Sequence, residues 1–359
     1  MKRKSNFEIL RIISIIFILF HHFFYENVIL DYTSSITINQ FISQVLYSLG
    51  KIGVNIFILI TGYFCINSNF KLKKILTIWL QTIFYSWIIL VVYICFNGFG
   101  EVGLKNILKS IFPIIYNHYW FITAYVILYI LSGYLNIVLK NISRKQYIIL
   151  LGVLLTIWCV LPSVMYGKID FSNIDWFILM YMVGAFIQLH PLKIFDNKKI
   201  IKILLLLFAF LGITSIYLLD KIYYILEIDP THFSLPMNQI IPLGISICIF
   251  LLFKNLQIEN NNIINKIAST TLGIYLIHTN ILIRDFIWID ILKVNTLTNS
   301  QYLILYEVFA VVLVFLLCVV IDLIRQFIFS KFLDKFIDFL ESKIKIGAKV
   351  KWKIILLLV

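Results

Sequence analysis

The sequence predicts an all-α polytopic membrane protein, a bundle of about ten transmembrane helices with both termini in the cytoplasm. Three observations support this prediction. Hydrophobic residues make up 61% of the 359-residue chain and charged residues only 14%, whereas soluble domains are roughly 45–50% apolar and about 25% charged. Apolar windows long enough to cross a bilayer recur along the chain. The basic residues lie between these windows, mostly on one predicted side of the membrane.

Ten windows of about twenty mainly apolar residues define the predicted helices. They lie near residues 7–27, 41–65, 75–96, 118–139, 146–162, 173–189, 200–219, 236–254, 267–287 and 301–322. The first window follows a basic start and resembles a signal peptide. No small-residue cleavage site follows it, so we expect an uncleaved first span.

The basic residues set the predicted orientation. With the N-terminus inside, 23 of the 31 lysines and arginines fall in inner segments and six fall in outer loops. The other two, Arg11 and Lys51, lie within spans. Positive charge is enriched on the cytoplasmic side of membrane proteins. This distribution explains the net charge of +13 without a nucleic-acid partner.

The predicted organisation is one transmembrane domain over residues 1–326 and an amphipathic basic tail over residues 327–359. The tail mixes Phe, Ile and Leu with Lys and Asp at roughly helical spacing, which is typical of a helix on the inner membrane surface. The five cysteines are widely separated, so we expect buried thiols rather than a disulfide framework or a zinc site. No other metal site is predicted.

The first predicted helix carries polar side chains in an otherwise apolar stretch. A charged side chain at mid-bilayer costs roughly 2.5–3.5 kcal/mol on insertion scales, so such groups are candidates for function. Arg11 and His22 are eleven positions apart, which is three turns plus roughly 20°, so they share one face about 16 Å apart. Glu8 lies one turn from Arg11, within pairing reach. His21 points away from this face and is expected to be structural.

His22 has two candidate carboxylate partners. Glu307 lies at the same predicted depth on the tenth helix, and Glu26 lies one turn above His22 on its own helix. A carboxylate bonded to one ring nitrogen would fix the tautomer and make the other nitrogen a better base. The sequence leaves both partners open.

Other polar residues fall in or beside predicted spans. Lys51 is near mid-bilayer, where a lone ammonium needs a carboxylate, a phosphate or a water-filled cavity. For His118, Asp175 and His278, a functional role and a structural role as polar groups hydrogen-bonded within the bundle explain the sequence equally well. The sequence contains no nucleophile elbow, P-loop, glycine-rich dinucleotide motif or H-E-x-x-H zinc motif.

Four short patterns follow one another along the chain. They comprise Arg11 and His22 after Glu8; Lys51, Gly53, Val54, Phe57, Thr61, Gly62 and Tyr63; His118, Trp120 and Phe121; and Gly273, Tyr275, Leu276 and His278. Together they resemble the membrane-bound acyltransferase type 3 family, which includes many bacterial surface-polysaccharide O-acetyltransferases, from about residue 5 to residue 325. Lys51 stands where the family more commonly has Arg, and Thr61 where it more commonly has Ser.

The resemblance implies an integral membrane acyltransferase of the bacterial plasma membrane. Such an enzyme would move acetyl from cytoplasmic acetyl-CoA, or another acyl-CoA, to a hydroxyl of a cell-surface or lipid-linked saccharide. An amine, a lipid or a small molecule stays open as the acceptor. We expect no permanently bound cofactor. We expect no soluble esterase-like domain of the kind that some members carry, so a separate extracytoplasmic transferase or polysaccharide-assembly proteins are further candidate partners.

The resemblance also suggests roles for the intramembrane residues. The expected acyl-CoA site comprises Arg11, Glu8, Lys71, Lys73 and Lys74. The expected catalytic group is His22, acting as general base or as a transient acyl carrier, oriented by Glu307 or Glu26. The residues expected to stabilise the oxyanion or position the substrate are Lys51, His118, Trp120, Tyr275 and His278.

Two other classes of function compete with the enzyme. In a transporter or flippase for a polyisoprenyl-linked saccharide or another amphiphile, the same residues would form a proton relay or a substrate pathway. The absence of evident inverted repeats and of paired interrupted helices counts against this class. In a scaffold of a polysaccharide-assembly complex, they would only fix helix packing.

Overall fold

The structure is a computed structural model that describes residues 4–26, 37–164, 172–297 and 300–347. All regular secondary structure in these ranges is helical, which confirms the all-α prediction. The helices are α1 Ser5–Glu26, α2 Ile38–Cys65, α3 Leu72–Asn97, α4 Leu104–Ile111, α5 Trp120–Asn141, α6 Arg144–Leu155, α7 Leu161–Val164, α8 Asn173–Leu189, α9 Lys198–Leu226, α10 Ile240–Lys254, α11 Asn262–Ala268, α12 Thr271–His278 and α13 Leu303–Gly347.

Seven helical runs within the described ranges are long and apolar enough to cross a membrane. They are α1, α2, α3, α5, α9, α13 and the run of α6 and α7 through a π-helical turn at Thr156–Val160. Two further apolar helices, α8 and α10, are shorter. These helices make the chain a multi-pass membrane protein. The number ten and the cytoplasmic position of both termini stay predictions.

The predicted ninth span, residues 267–287, is not one helix. It contains the end of α11, a short break, the eight residues of α12, a second break and the start of a π-helix at Phe286–Ile291. The second break is stabilised by Asn280, whose side-chain oxygen accepts a hydrogen bond of 3.0 Å from the backbone N–H of Leu282. The prediction of a continuous span is therefore wrong here, because apolar composition does not reveal where a side chain replaces the helical backbone bonds.

Helix α2 lies at the centre of the bundle, where α1, α8 and α10 pack against it. Its start is fixed by a capping box between Thr37 and Gln40, in which each side chain accepts a hydrogen bond from the backbone N–H of the other. Asp175, one of the polar residues noted in the sequence, forms a second such box with Ser172 at the start of α8. These bonds satisfy donors that a helix N-terminus leaves open, so Asp175 has a local structural role.

Helices α2 and α8 cross so closely that glycine is required at two contact points. Gly62 of α2 faces the backbone carbonyl of Tyr181, and Gly184 of α8 faces the backbone carbonyl of Leu59. A Cβ atom at either position would overlap with the facing backbone. Small residues allow membrane helices to approach each other this closely. The crossing fixes α8 against the helix that carries much of the candidate site.

Helix α13 is 45 residues long, which corresponds to about 68 Å, whereas the hydrocarbon core of a bilayer is about 30 Å thick. It continues past the predicted tenth span without a break and runs along α3. Lys73 Nζ lies 2.7 Å from Asp338 Oδ1, and the rings of Phe84 and Phe329 are 5.0 Å apart. The described part of the predicted tail is therefore an extension of the last helix. Its position on the membrane surface stays a prediction, and residues 348–359 lie outside the described ranges.

Candidate active site

A cavity of about 280 Å³ lies between α1, α2, α3, α5 and α12. Its wall includes six of the residues for which the sequence analysis expects a role in donor binding, catalysis or substrate positioning. They are Arg11, His22, Lys51, Lys74, Trp120 and Tyr275. These side chains come from five different helices, so packing of the bundle is what brings them together.

One face of α1 forms a continuous strip of the cavity wall. Arg11, Ile15, Ile18 and His22 all line the cavity, and their spacing of four, three and four residues is that of one helical face. The eleven residues between Arg11 and His22 correspond to about 16 Å along the axis. The structure thus places the guanidinium and the imidazole at two levels of a single cavity. We refer to these levels as the Arg11 end and the His22 end.

The Arg11 end is cationic. Arg11 Nη1 lies 3.1 Å from Glu8 Oε1 and 3.2 Å from Oε2, which is the predicted pair. Lys74 reaches the cavity from α3, with its ammonium 4.4 Å from the ring centroid of Tyr129 and 5.6 Å from that of Tyr125. No carboxylate in the described ranges pairs with Lys74. Aromatic faces attract a cation without neutralising it, so this ammonium can also bind an anion in the cavity.

Lys71 and Lys73 lie outside the cavity wall, although the sequence grouped them with Lys74. Lys73 forms an ion pair of 2.7 Å with Asp338. Lys71 precedes α3, and its backbone N–H donates a hydrogen bond of 3.2 Å to the hydroxyl of Tyr129. Successive residues of a helix point about 100° apart, so Lys73 and Lys74 of α3 face different directions. Of the three lysines, only Lys74 lines the cavity, and the donor-binding roles of Lys71 and Lys73 stay predictions.

Three histidine rings meet at the His22 end. The His22 ring lies 5.5 Å from the ring of His21 and 5.1 Å from that of His278, the latter at an interplanar angle of 73°. His278 Nδ1 lies 2.6 Å from the carbonyl oxygen of Ile274. Because a carbonyl oxygen only accepts, Nδ1 carries a proton. The Nε2 of His278 is buried and has no hydrogen-bond partner among the described residues. His278 is thus fixed by its own helix against His22, behind the cavity wall.

His21 also lines the cavity, although helical geometry predicted that it would point away. Its Nδ1 lies 3.1 Å from the carbonyl oxygen of Tyr47, and its ring stacks on the ring of Tyr47 at 4.4 Å. Gly50 of α2 makes room for this ring, because a Cβ at Gly50 would overlap it. These contacts fix the His21 ring against α2, and the structural role expected for His21 stays a prediction.

Lys51 faces the cavity from α2, directly after the glycine that packs on His21. Its Nζ lies 5.2 Å from the ring centroid of Trp120. No described carboxylate pairs with it. An ammonium inside a bilayer needs an anion, a π face or a water-filled space. Lys51 and Trp120, which belong to separate sequence patterns, therefore form one cationic element of the cavity wall.

The structure does not bring Glu307 to His22. Glu307 is fully buried, its Oε2 accepts a hydrogen bond of 2.8 Å from Ser43 of α2, and its Oε1 has no partner in the described part of the chain. Equal depth on two helices does not ensure that both residues face the same neighbour, so the predicted pair with His22 is wrong. The side chain of Glu26, the rival partner, lies outside the described residues.

The start of α5 docks on α12 and connects two of the sequence patterns. His118 is buried but is not part of the cavity wall. Its neighbour Tyr119 donates a hydrogen bond of 3.1 Å to the carbonyl oxygen of Leu276 and accepts one of 2.7 Å from Asn280. This contact places Trp120 and Tyr275 on the same cavity. His118 therefore lies behind the cavity wall, and its expected role in positioning the substrate stays a prediction.

The sequence reading missed a buried polar cluster on α13. Asp322 is fully buried and accepts hydrogen bonds from the Tyr85 hydroxyl at 2.6 Å and from Arg325 Nε at 2.7 Å. The sequence does contain a signal for this cluster, because Asp and Arg three residues apart in an apolar run can pair on one helix face. Counting Arg325 among the basic residues of the inner segments hides this pair.

The chain matches the acyltransferase domain family over residues 4–323. The match includes every helix that lines the cavity, and its limits agree with those of the resemblance drawn from the four sequence patterns. Comparison with curated proteins and with solved structures gives no match. The family match and the site together lead to one conclusion: the chain belongs to the membrane-bound acyltransferase type 3 family.

Proposed function

We propose that this chain is an O-acetyltransferase of the bacterial plasma membrane. It moves acetyl from cytoplasmic acetyl-CoA to a hydroxyl of a cell-surface or lipid-linked saccharide. Membership of the family indicates membrane acyltransferase activity. The observation that best supports the rest of the proposal is the single cavity that joins a cationic end at Arg11 to the imidazole of His22.

The Arg11 end suits the phosphates of the donor. An arginine guanidinium offers five N–H donors in a planar fork, which can bond a phosphate while also pairing with Glu8. Lys74 adds a point charge from the opposite helix. The pantetheine arm of coenzyme A is long and nearly neutral, and the wall between the two ends carries apolar side chains such as Ile15, Ile18 and Val54. The arm would bring the thioester to the His22 end.

At the His22 end, the proposed reaction is direct transfer. His22 takes the proton from the acceptor hydroxyl as its oxygen attacks the thioester carbon. The carbonyl oxygen becomes an oxyanion, which the ammonium of Lys51 stabilises. The C–S bond then breaks, and His22 returns the proton to the departing thiolate of coenzyme A. Trp120 holds Lys51 in place, and Tyr275 forms the facing wall.

A second route uses His22 as a transient acyl carrier. Its ring nitrogen would attack the thioester, release coenzyme A and pass the acetyl group to the acceptor in a second step. Rapid acid quenching with labelled acetyl-CoA separates the routes, because only the second leaves label on the protein before an acceptor is added. A separate extracytoplasmic transferase fits either route as the final recipient.

The function is tested with purified full-length protein and radiolabelled acetyl-CoA. Wild type should release coenzyme A and transfer label, and His22→Ala should abolish both. His190→Ala is the matched control, because His190 follows α8 and does not line the cavity. Equal activity of wild type and His22→Ala, with the fold intact, would contradict the proposal.

The interrupted span at α11 and α12 favours a second candidate, a transporter or flippase for a lipid-linked saccharide. Discontinuous helices often form substrate sites in transporters. The two functions differ in one measurement. Saccharide export that depends on this chain, combined with no turnover of acetyl-CoA by the purified protein, would support transport instead of acyl transfer.

A further inference from the structure

A group of polar side chains converges on one buried carboxylate outside the cavity. Besides Tyr85 and Arg325, Asp322 accepts hydrogen bonds from Gln326 Nε2 at 2.7 Å and from Gln81 Nε2 at 3.4 Å. We call these five residues the Asp322 cluster. None of them lines the cavity. Buried charges need such partners, yet a buried ion pair is weak evidence for stability, because an apolar replacement is often equally stable. The presence of the Asp322 cluster therefore calls for an explanation other than stability.

The Asp322 cluster packs directly on α12. Gly273 lies against the carboxylate, and a Cβ at this position would overlap with the Asp322 side chain. Gln326 also donates a hydrogen bond of 3.1 Å to the hydroxyl of Ser269, just before α12, and accepts one of 2.9 Å from Lys266. Helix α13 thus holds both the backbone of α12 and the break that precedes it.

Helix α12 is short and depends on such contacts for its position. It has eight residues and a break at each end, so no neighbouring helical turns fix its rotation or depth. Thr271 and Tyr275 form part of the cavity wall, and His278 contacts the ring of His22. A small shift of α12 would move Tyr275 and His278 relative to His22.

We propose that Asp322 is a positioning residue for acyl transfer. With its cluster, it sets the place of α12 and thereby aligns Tyr275 and His278 with His22. This inference rests on the proposed function for its catalytic consequence, but the structural link from Asp322 to α12 stands apart from it. Displacement of catalytic groups by about 1 Å can lower the rate about a hundredfold. The Arg11 end carries the donor phosphates and should be unaffected.

The test combines kinetics with hydrogen exchange of residues 271–278 in the full chain. Asp322→Asn should speed exchange in α12 and lower kcat about tenfold to a hundredfold, with the KM for acetyl-CoA unchanged within about twofold. Asp338→Asn is the matched control, since Asp338 is an exposed carboxylate on the same helix and should change neither readout. Gly273→Ala gives a second variant if Asp322→Asn does not fold, with Gly133→Ala, which has open space at its Cβ, as its control.

The possible outcomes test the positioning role of Asp322 and the proposed function separately. Unchanged α12 exchange and unchanged kcat in Asp322→Asn and Gly273→Ala would overturn the positioning role. A higher KM with normal kcat would also overturn it, because the effect would lie at the donor end. Faster α12 exchange in a protein whose wild type does not turn over acetyl-CoA would support the link to α12 and contradict the proposed function.

Discussion

Lys73 and Lys74 are adjacent in the sequence but have different surroundings. Lys74 faces the cavity beside two tyrosine rings, whereas Lys73 pairs with Asp338 on the surface of the bundle. We expect Lys74→Ala to raise the KM for acetyl-CoA about tenfold to a hundredfold, because one phosphate contact with a charged group contributes about 1.5–3 kcal/mol. Lys73→Ala should leave KM unchanged. Steady-state kinetics measure both, and equal effects of the two substitutions would contradict the assignment of the donor site.

A similar comparison of two lysines is possible at the His22 end, where Lys51 lies. Replacing it with Met keeps the apolar stem and removes the charge, so kcat should fall about a hundredfold, as expected for loss of an oxyanion donor. Lys221→Met is the control, because Lys221 also lies over a tyrosine ring, that of Tyr217 at 5.7 Å, but away from the cavity. A rise in KM with unchanged kcat in Lys51→Met would show that Lys51 binds substrate rather than the transition state.

The sequence predicted correctly that Arg11 and His22 share one face, because both lie on one helix. The spacing from Arg11 to His22 gives both depth and direction, and the structure places both on one cavity. Glu307 lies on another helix, so its depth could be inferred but its direction could not. Ser43 bonds it instead. The role of Asp322 also depends on how α13 packs against α12, which no spacing within one helix reveals.

At the scale of elements, apolar windows predicted where helices occur but not whether each is continuous. Seven of the predicted windows correspond to long helices and two correspond to short helices. The ninth is broken because side-chain hydrogen bonds, such as that of Asn280, replace backbone bonds within an apolar sequence. Helix α8 was predicted as a short span, and its crossing with α2 through Gly62 and Gly184 explains how a 17-residue helix is fixed in the bundle.

The α2–α8 crossing gives a prediction about stability. Gly184→Ala places a methyl group against the carbonyl of Leu59, so the helices must separate, and overpacking of this kind typically costs about 1–3 kcal/mol. We expect a lower midpoint of thermal unfolding for the purified protein. Gly152→Ala is the control, because no atom lies near the new Cβ and alanine favours helix. A midpoint for Gly184→Ala equal to that of wild type would show that the crossing tolerates a wider spacing.

At the scale of the whole molecule, the basic residues predict which side of the membrane each helix end occupies. Helix α3 should end outside at Asn97, and α13 should extend into the cytoplasm at Ser342. Both residues are exposed. In a Cys95→Ser background, where the other cysteines are buried, a membrane-impermeant maleimide should label Asn97→Cys in intact cells. It should label Ser342→Cys only after the cells are opened. Labelling of both in intact cells would contradict the predicted orientation.

The same orientation determines from which side the donor can act. Arg11 lies near the start of α1 and Lys74 near the start of α3, and the distribution of basic residues predicts that both helix starts face the cytoplasm. Acetyl-CoA carries several charges and does not cross a bilayer unaided. Inverted membrane vesicles should therefore use added acetyl-CoA, and right-side-out vesicles should not until they are permeabilised. Vesicles that contain His22→Ala protein provide the background. Equal turnover in both intact orientations would mean that acetyl-CoA also reaches the cavity from the outer side, which would contradict donor entry from the cytoplasm alone.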